Sequence, residues 1–195
     1  MAVRDSTDGY EDFADVLKSI VGIRRVLTAR NVTRPYRTGF RYGSGTALAV
    51  VMPRSLVDLW HVINACVASD KVLIMQAANT GLTGGSTPSG HDYDRDVVIV
   101  NTMSIAGIHV IDSGRQVICL PGATLHQLEK ALKPFDREPH SVIGSSCLGA
   151  SVLGGVCNNS GGALVKRGPA YTQLAVYAQL DECRQLRLVN HLGVN

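Results

Sequence analysis

The chain has 195 residues, a formal charge of +3 from 19 basic and 16 acidic side chains, and is 45% hydrophobic and 18% charged. That composition excludes a disordered chain and suffices for one sizeable core or two small ones, and no apolar run approaches the ~20 residues a membrane-spanning helix needs. Charges are spread without an uninterrupted block of one sign, which argues against a dedicated nucleic-acid binder while leaving an anionic cofactor open. The first residues contain no apolar stretch of the signal-peptide kind, so the cytosol is the expected compartment. Five cysteines, Cys66, Cys119, Cys147, Cys157 and Cys183, have neither CxxC nor zinc-type Cys/His spacing and read as buried free thiols.

In chain order, Phe13, Val16, Leu17, Ile20 and Val21 fall at helical spacing and Gly22 follows where a C-terminal cap belongs, predicting a short amphipathic helix over 10–21. Val32 to Gly45 mixes arginines, aromatics and turn residues without a period and reads as a basic irregular loop, from which Arg37 or Arg41 could reach a phosphate. Ala47 to Met52, stopped by Pro53, suits a buried strand. The Ser55-x-x-Asp58 pattern opens a helix over Leu56–Ala68, and Val72–Met75 is a second strand. The polar stretch His91–Asp96 reads as a solvated turn rather than a calcium loop, because it lacks the glycine and distal glutamate. Val97–Val100 is a third strand, Ile108–Ile111 and Val117–Leu120 form a hairpin, and Thr124 with Gln127 makes a capping box for a helix stopped by Pro134. Leu174–Leu180 and Leu186–Val189 flank a turn as a second hairpin.

Two segments of small residues stand apart. The first, Met75 to Pro88, turns from apolar residues to Asn79, Thr80, Gly81, Thr83, Gly84, Gly85 and Ser86. Such a loop can aim successive backbone N–H donors at one anion, a phosphate or pyrophosphate; a glycine-rich surface turn satisfies the same pattern. The second, Gly144 to Gly162, carries bulk only at Leu148, Val152, Leu153 and Val156, which gives either a bare helix face on which a flat ligand can lie or close helix-on-sheet packing. Neither is a familiar nucleotide motif. No G-x-G-x-x-G is present, Gly144 and Gly149 have P-loop separation but are followed by Ala150 and Ser151 instead of the phosphate-binding lysine, and no G-x-S-x-G elbow occurs.

The order of these elements resembles the flavin-binding domain of the vanillyl-alcohol-oxidase, or p-cresol methylhydroxylase (PCMH), type. Within it, Gln76–Thr83, Glu138–Ser146, Asn158–Gly162 and Arg167–Tyr171 look like the bacterial quinone-dependent D-lactate dehydrogenases, over nearly the whole chain. The resemblance implies an α+β, PCMH-type FAD-binding fold of two α/β lobes, 1–101 with the pyrophosphate loop and 102–195 incomplete at its C-terminal end, with FAD between them and the substrate cap domain absent. It places Ala77, Ala78, Asn79, Thr80, Gly81, Gly85 and Ser86 around the FAD pyrophosphate, and Gly144, Ser151 and Gly161 beside the rest of the cofactor. No histidine or cysteine lies in the first loop, so FAD is expected to be noncovalent.

In that family D-lactate is oxidised to pyruvate and the electrons pass to a quinone, on a protein peripheral to the cytoplasmic face of the inner membrane. Family members are much longer, so the resemblance covers only their N-terminal portion and implies a fragment that turns over nothing alone. No residue is assigned a catalytic role, and His140 is expected to be structural. A missing C-terminal chain or a homo-oligomer would complete the unit. The reading from another class is a noncatalytic nucleotide-binding or assembly module whose sheet edge a partner chain completes.

Overall fold

Three β-branched, apolar segments determine the centre of the molecule. In the computed structural model, which describes residues 8–139, 149–160, 172 and 174–193, they form the strands β2 (Ala49–Val51), β3 (Val72–Gln76) and β4 (Val97–Asn101). Strand β4 runs parallel to both neighbours, with Val98 opposite Ala49 and Leu73 and Val100 opposite Val51 and Met75. All five of its residues are buried, as expected of a parallel strand covered on both faces. The right-hand neighbour in sequence, helix α3 (Leu56–Ala68), begins where the Ser55 hydroxyl accepts from the Asp58 N–H at 3.0 Å. Phe13 and Leu17 of helix α1 (Asp8–Val21) pack with Val62 and Cys66 of α3 on Ala49, Val51, Val98 and Val100, and this is the core.

The remaining elements follow the sequence reading closely. Strands β5 (Ile108–Ile111) and β6 (Gln116–Cys119) pair antiparallel, and helix α4 (Leu125–Leu132) starts at a complete capping box of Thr124 and Gln127. Helix α5 (Val152–Cys157) is short. Strands β7 (Val176–Leu180) and β8 (Leu186–Asn190) form the last hairpin. Its turn is tied to the first sheet by Arg184, which donates to Asp70, and Arg95 reaches the same carboxylate at 3.3 Å. Those guanidiniums, Arg184 foremost, hold the Asp70 carboxyl below the usual range.

Two elements depart from expectation. Strand β1 (Val26–Leu27) joins β2 antiparallel and completes the sheet order β1-β2-β4-β3; two residues are too few to show a period. The expected irregular loop after it contains helix α2 (Arg30–Arg37), with Pro35 inside. This helix has no apolar stripe to detect, because polar bonds seat it: its one buried side chain is Thr33, whose hydroxyl lies 3.1 Å from the Ala29 carbonyl and accepts from Arg37 Nε at 3.0 Å. Two of the three aspartates of the 91–96 stretch have different partners, Asp96 with Lys71 at 2.6 Å and Asp94 with Arg95 at 3.1 Å. Of the cysteines, Cys66 is buried and Cys119 half-buried, whereas Cys157 and Cys183 are exposed, against the expectation of buried thiols throughout. Cys147 and His140 lie outside the described residues.

Core and surface positions should separate cleanly in denaturation. Leu17 is fully buried, so Leu17→Ala should cost about 3 kcal/mol in urea titrations. Ile23, at 73% exposure, should cost under ~0.5 kcal/mol when replaced by alanine. Cys66 sets a pH dependence. Burial pushes its thiol from the ordinary 9.0 up to about 12, with Lys71 pulling weakly the other way. The unfolded thiol therefore ionises first, so this contribution is whole below pH 9 and is lost as the pH rises towards 12. Denaturation midpoints measured from pH 8 to 11 should fall more steeply for the wild type than for Cys66→Ala.

Candidate cofactor site

The first glycine-rich loop begins where β3 leaves the sheet, at the C-terminal end of a parallel strand, the usual place for ligands in open α/β sheets. Its first anchor is Gln76, 2% exposed. The Gln76 amide donates to the Tyr36 carbonyl at 2.8 Å and the Ser86 carbonyl at 2.7 Å, and its oxygen accepts from Asn101 Nδ2 at 3.3 Å. One side chain thus joins the start of the loop to its end. Asn101 also donates to the Ala77 carbonyl at 3.0 Å.

Asn79 supplies the second anchor. Its backbone adopts φ +54°, a left-handed conformation that asparagine tolerates better than most residues. The side chain donates to the Thr38 carbonyl at 2.8 Å and accepts from the Ser86 hydroxyl at 2.9 Å. Further along, Tyr42 Oη donates to the Thr83 carbonyl at 2.8 Å, and Thr87 closes a turn by donating from N to the Gly84 carbonyl at 3.2 Å.

The carbonyls of Ala77, Thr83, Gly84 and Ser86 and the side chains of Asn79 and Ser86 are engaged. No backbone N–H from Ala77 to Ser86 donates to a described residue. The glycines make the same point. Gly45 is required by the fold, since a β-carbon there would meet the Gly90 carbonyl oxygen at 2.4 Å; Gly81 has an ordinary backbone, and a β-carbon on it would meet nothing within 4 Å. A glycine that neither conformation nor packing requires, beside a run of unused donors, suits close approach by an anionic ligand.

The expected pyrophosphate set, Ala77, Ala78, Asn79, Thr80, Gly81, Gly85 and Ser86, lies in this one loop; Gly81 and Gly85 are exposed and the others half-buried. Asn79 and Ser86 use their side chains on each other, which makes them loop-shaping residues. Of the second set, Gly144 and Gly161 lie outside the described residues. Ser151 is 4% exposed and caps α5, its hydroxyl accepting from the Gly154 N–H at 3.0 Å. It reaches the first loop through a relay. Val152 N donates to the Ala123 carbonyl at 2.9 Å, Gly122 is packed on the carbonyls of Thr102 and Met103, and Thr102, 1% exposed, donates from N to the Gln76 carbonyl at 2.8 Å.

The sequence reading left Arg37 free to reach a phosphate, and the structure places it otherwise. Arg37 does not project freely: its guanidinium donates to the Gly45 carbonyl at 2.7 Å and the Arg30 carbonyl at 3.0 Å. The available signal was charge: between Asp15 and Asp58 the chain carries Lys18 and seven arginines and no acid. Helix α2 and its C-cap lie in that acid-free stretch and meet the loop's anchors at the Tyr36 and Thr38 carbonyls, and the loop itself contains no lysine.

Comparison with known proteins decides what this loop belongs to. The family described as "FAD binding domain" matches residues 47–188. The chain belongs to that family. It is 62% identical over 179 residues to the quinone-dependent D-lactate dehydrogenase of Haemophilus influenzae, covering 92% of this chain and 32% of that protein. Identity to the Escherichia coli enzyme of the same name is 58% over 190 residues, covering 97% and 33%. The chain therefore spans about a third of the length of these relatives.

Solved structures agree on the fold. An alkyldihydroxyacetonephosphate synthase, 13% identical, superposes with a TM-score of 0.75 over 95% of this chain and 36% of its own. A p-cresol methylhydroxylase, 14% identical, gives 0.61 over 77% and 30%. The fold is accordingly the α+β, PCMH-type FAD-binding fold, and FAD is the cofactor of this domain. The first loop fits it: N–H donors that no described residue uses and an open glycine suit a diphosphate.

The two classes of glycine give a direct contrast. Gly81→Val should leave the melting temperature of the flavin-free chain within about 2 °C, because the new side chain points into open space, while flavin retention is lost. Gly45→Val should lower the melting temperature by several degrees by driving a β-carbon into the Gly90 carbonyl. Equal flavin retention by wild type and Gly81→Val would remove the loop from the site.

Proposed function

We propose that this chain is the FAD-binding portion of a respiratory D-lactate dehydrogenase, in which D-lactate is oxidised to pyruvate and the electrons pass to a quinone. The observation that carries the cofactor half is the braced loop whose N–H groups from Ala77 to Ser86 donate to no described residue. The substrate half is supported by the names of the relatives at 62% and 58% identity. Among the described residues no helix is long and apolar enough to cross a membrane, consistent with peripheral attachment of the whole protein.

In this reading the loop from Ala77 to Gly81, with Gly85 and Ser86, holds the pyrophosphate. Gly144, Ser151 and Gly161 lie beside the remainder of the cofactor, between a lobe over 1–101 and a second over 102–195. FAD supplies a two-electron acceptor and is held without a covalent bond, since the first loop offers neither histidine nor cysteine. The contribution of this chain is binding: backbone dipoles stabilise two phosphate charges at fixed positions, without the cost of burying lysines. Substrate-orienting cations and the proton acceptor come from the part of the relatives that this chain does not span. The fragment alone then retains flavin and oxidises nothing.

The purified chain, reconstituted with FAD and cleared of free cofactor, should show a flavin absorption spectrum that acid precipitation releases completely into solution. D-lactate with an artificial electron acceptor should give no turnover with this chain. A protein that stays colourless would favour a noncatalytic assembly module, flavin that remains on the acid-precipitated protein would overturn noncovalent binding, and clear turnover would refute the division of labour.

A further inference from the structure

Tyr42 is 63% exposed, an unusual position for a tyrosine that contributes nothing to the core. It sits in a tight turn that is itself firmly held. Gly39 N donates to the Gly43 carbonyl at 2.8 Å, Gly45 N to the Arg37 carbonyl at 3.2 Å, and Gly90 N to the Ser44 carbonyl at 2.9 Å. The turn admits no side chain at Gly39, where a β-carbon would lie 2.2 Å from the Tyr42 carbonyl oxygen. From this fixed base the Tyr42 ring lies against Gly84, close enough that a β-carbon there would meet it at 3.5 Å, and the hydroxyl donates to the Thr83 carbonyl at 2.8 Å. Gly84 has φ +74°.

The loop needs such a prop. Its N–H groups from Ala77 to Ser86 make no bond to a described residue, so few backbone bonds stiffen it from within. Gln76 fixes the two ends and Asn79 the first bend. The distal part, Gly81 to Gly85, contains the positive-φ glycine and is held by Tyr42 and by the Thr87 to Gly84 bond. Ordering a mobile apex is a cost that ligand binding must otherwise meet.

We propose that Tyr42 is a positioning residue for the flavin site: its hydroxyl, bonded to the Thr83 carbonyl, holds the apex of the loop in the binding-competent shape before the cofactor arrives. This inference rests on the assignment of the loop to the FAD pyrophosphate. Tyr42 touches the loop and acts through it. Removing the hydroxyl alone leaves the turn, the core and the unused donors unchanged, so the cost appears in binding and not in folding.

The test compares wild type, Tyr42→Phe and Gly81→Val, with FAD as the ligand, followed by flavin fluorescence and by release into an excess of a tight FAD-binding apoprotein as trap. Tyr42→Phe should weaken binding about fivefold, the equivalent of one ordinary hydrogen bond, chiefly through faster release. Melting of the flavin-free chain should be unchanged, and amide exchange across 80–85 in that chain should accelerate. Unchanged affinity, release and exchange in Tyr42→Phe, with binding abolished in Gly81→Val, would overturn the role of Tyr42 and leave the loop assignment standing. Unchanged binding in both variants would overturn the loop assignment and with it this inference. A lower melting temperature for Tyr42→Phe without faster exchange at 80–85 would show a merely structural contact and overturn the inference too.

Discussion

The buried carboxamide of Gln76 is the interaction on which the site depends. Both of its protons are donated, to the Tyr36 and Ser86 carbonyls, and its oxygen accepts from Asn101. It stands at the last position of β3, whose parallel pairing with the fully buried β4 passes rigidity directly to the loop. A glycine-rich segment gains little from its own side chains and loses more backbone entropy on ordering than any other kind of chain. It can hold one shape only if its ends are fixed from outside. A buried polar group left without a partner costs roughly 1–3 kcal/mol, so these three bonds keep each other in place, and a loop that opened at Ser86 would strand the Gln76 amide.

The same economy explains how the two small-residue regions relate. They are far apart in sequence and are joined by a buried threonine and a glycine. Thr102 follows β4 immediately, takes the Gln76 carbonyl from its backbone N–H, and contacts the Pro121 carbonyl at 3.3 Å through its hydroxyl. Gly122 lies so close to Thr102 and Met103 that any β-carbon would collide with their carbonyls at 2.4 and 2.8 Å. The chain therefore passes from the first sheet to the β5–β6 hairpin and α4 without a gap. Ala123 and Thr124 carry the connection to α5, by the Val152 to Ala123 bond and by the bridge between Thr124 and Ser151. Glycines in this protein divide by what they face: Gly122 and Gly45 face the protein's own backbone, and Gly81 faces open space.

Much of the fold was legible in the sequence because its signals are local. Strands β2, β3 and β4 are unbroken apolar runs, α3 and α4 announce themselves by a serine or threonine cap three residues before an acceptor, and the hairpins alternate around polar turns. Helix α2 was not legible, since what seats it is the Thr33 and Arg37 side chains bonding to carbonyls, and no hydrophobic period records that. The buried-thiol expectation failed for Cys157 and Cys183 because one ends a short helix and the other lies in a hairpin turn, places that a residue type alone does not reveal. At the site, composition showed that donors were available. It did not show which side chains spend themselves on shaping the loop, as Asn79 and Ser86 do on each other.

That division of roles bears on why the loop has no lysine. A lysine would bring its charge on a flexible stem and pay rotamer entropy when it docked, whereas a backbone N–H is already fixed once the loop is. In the proposed reading, positive charge would come instead from the acid-free stretch between Asp15 and Asp58. Arg37 illustrates the arrangement: its guanidinium donates to the Gly45 and Arg30 carbonyls and pairs with no carboxylate among the described residues. Under the proposed assignment, direct contacts by rigid dipoles would give position, and arginines held at one remove would give attraction. A diphosphate, with two charges in fixed relation, makes use of both, while a single weak anion gains little from either.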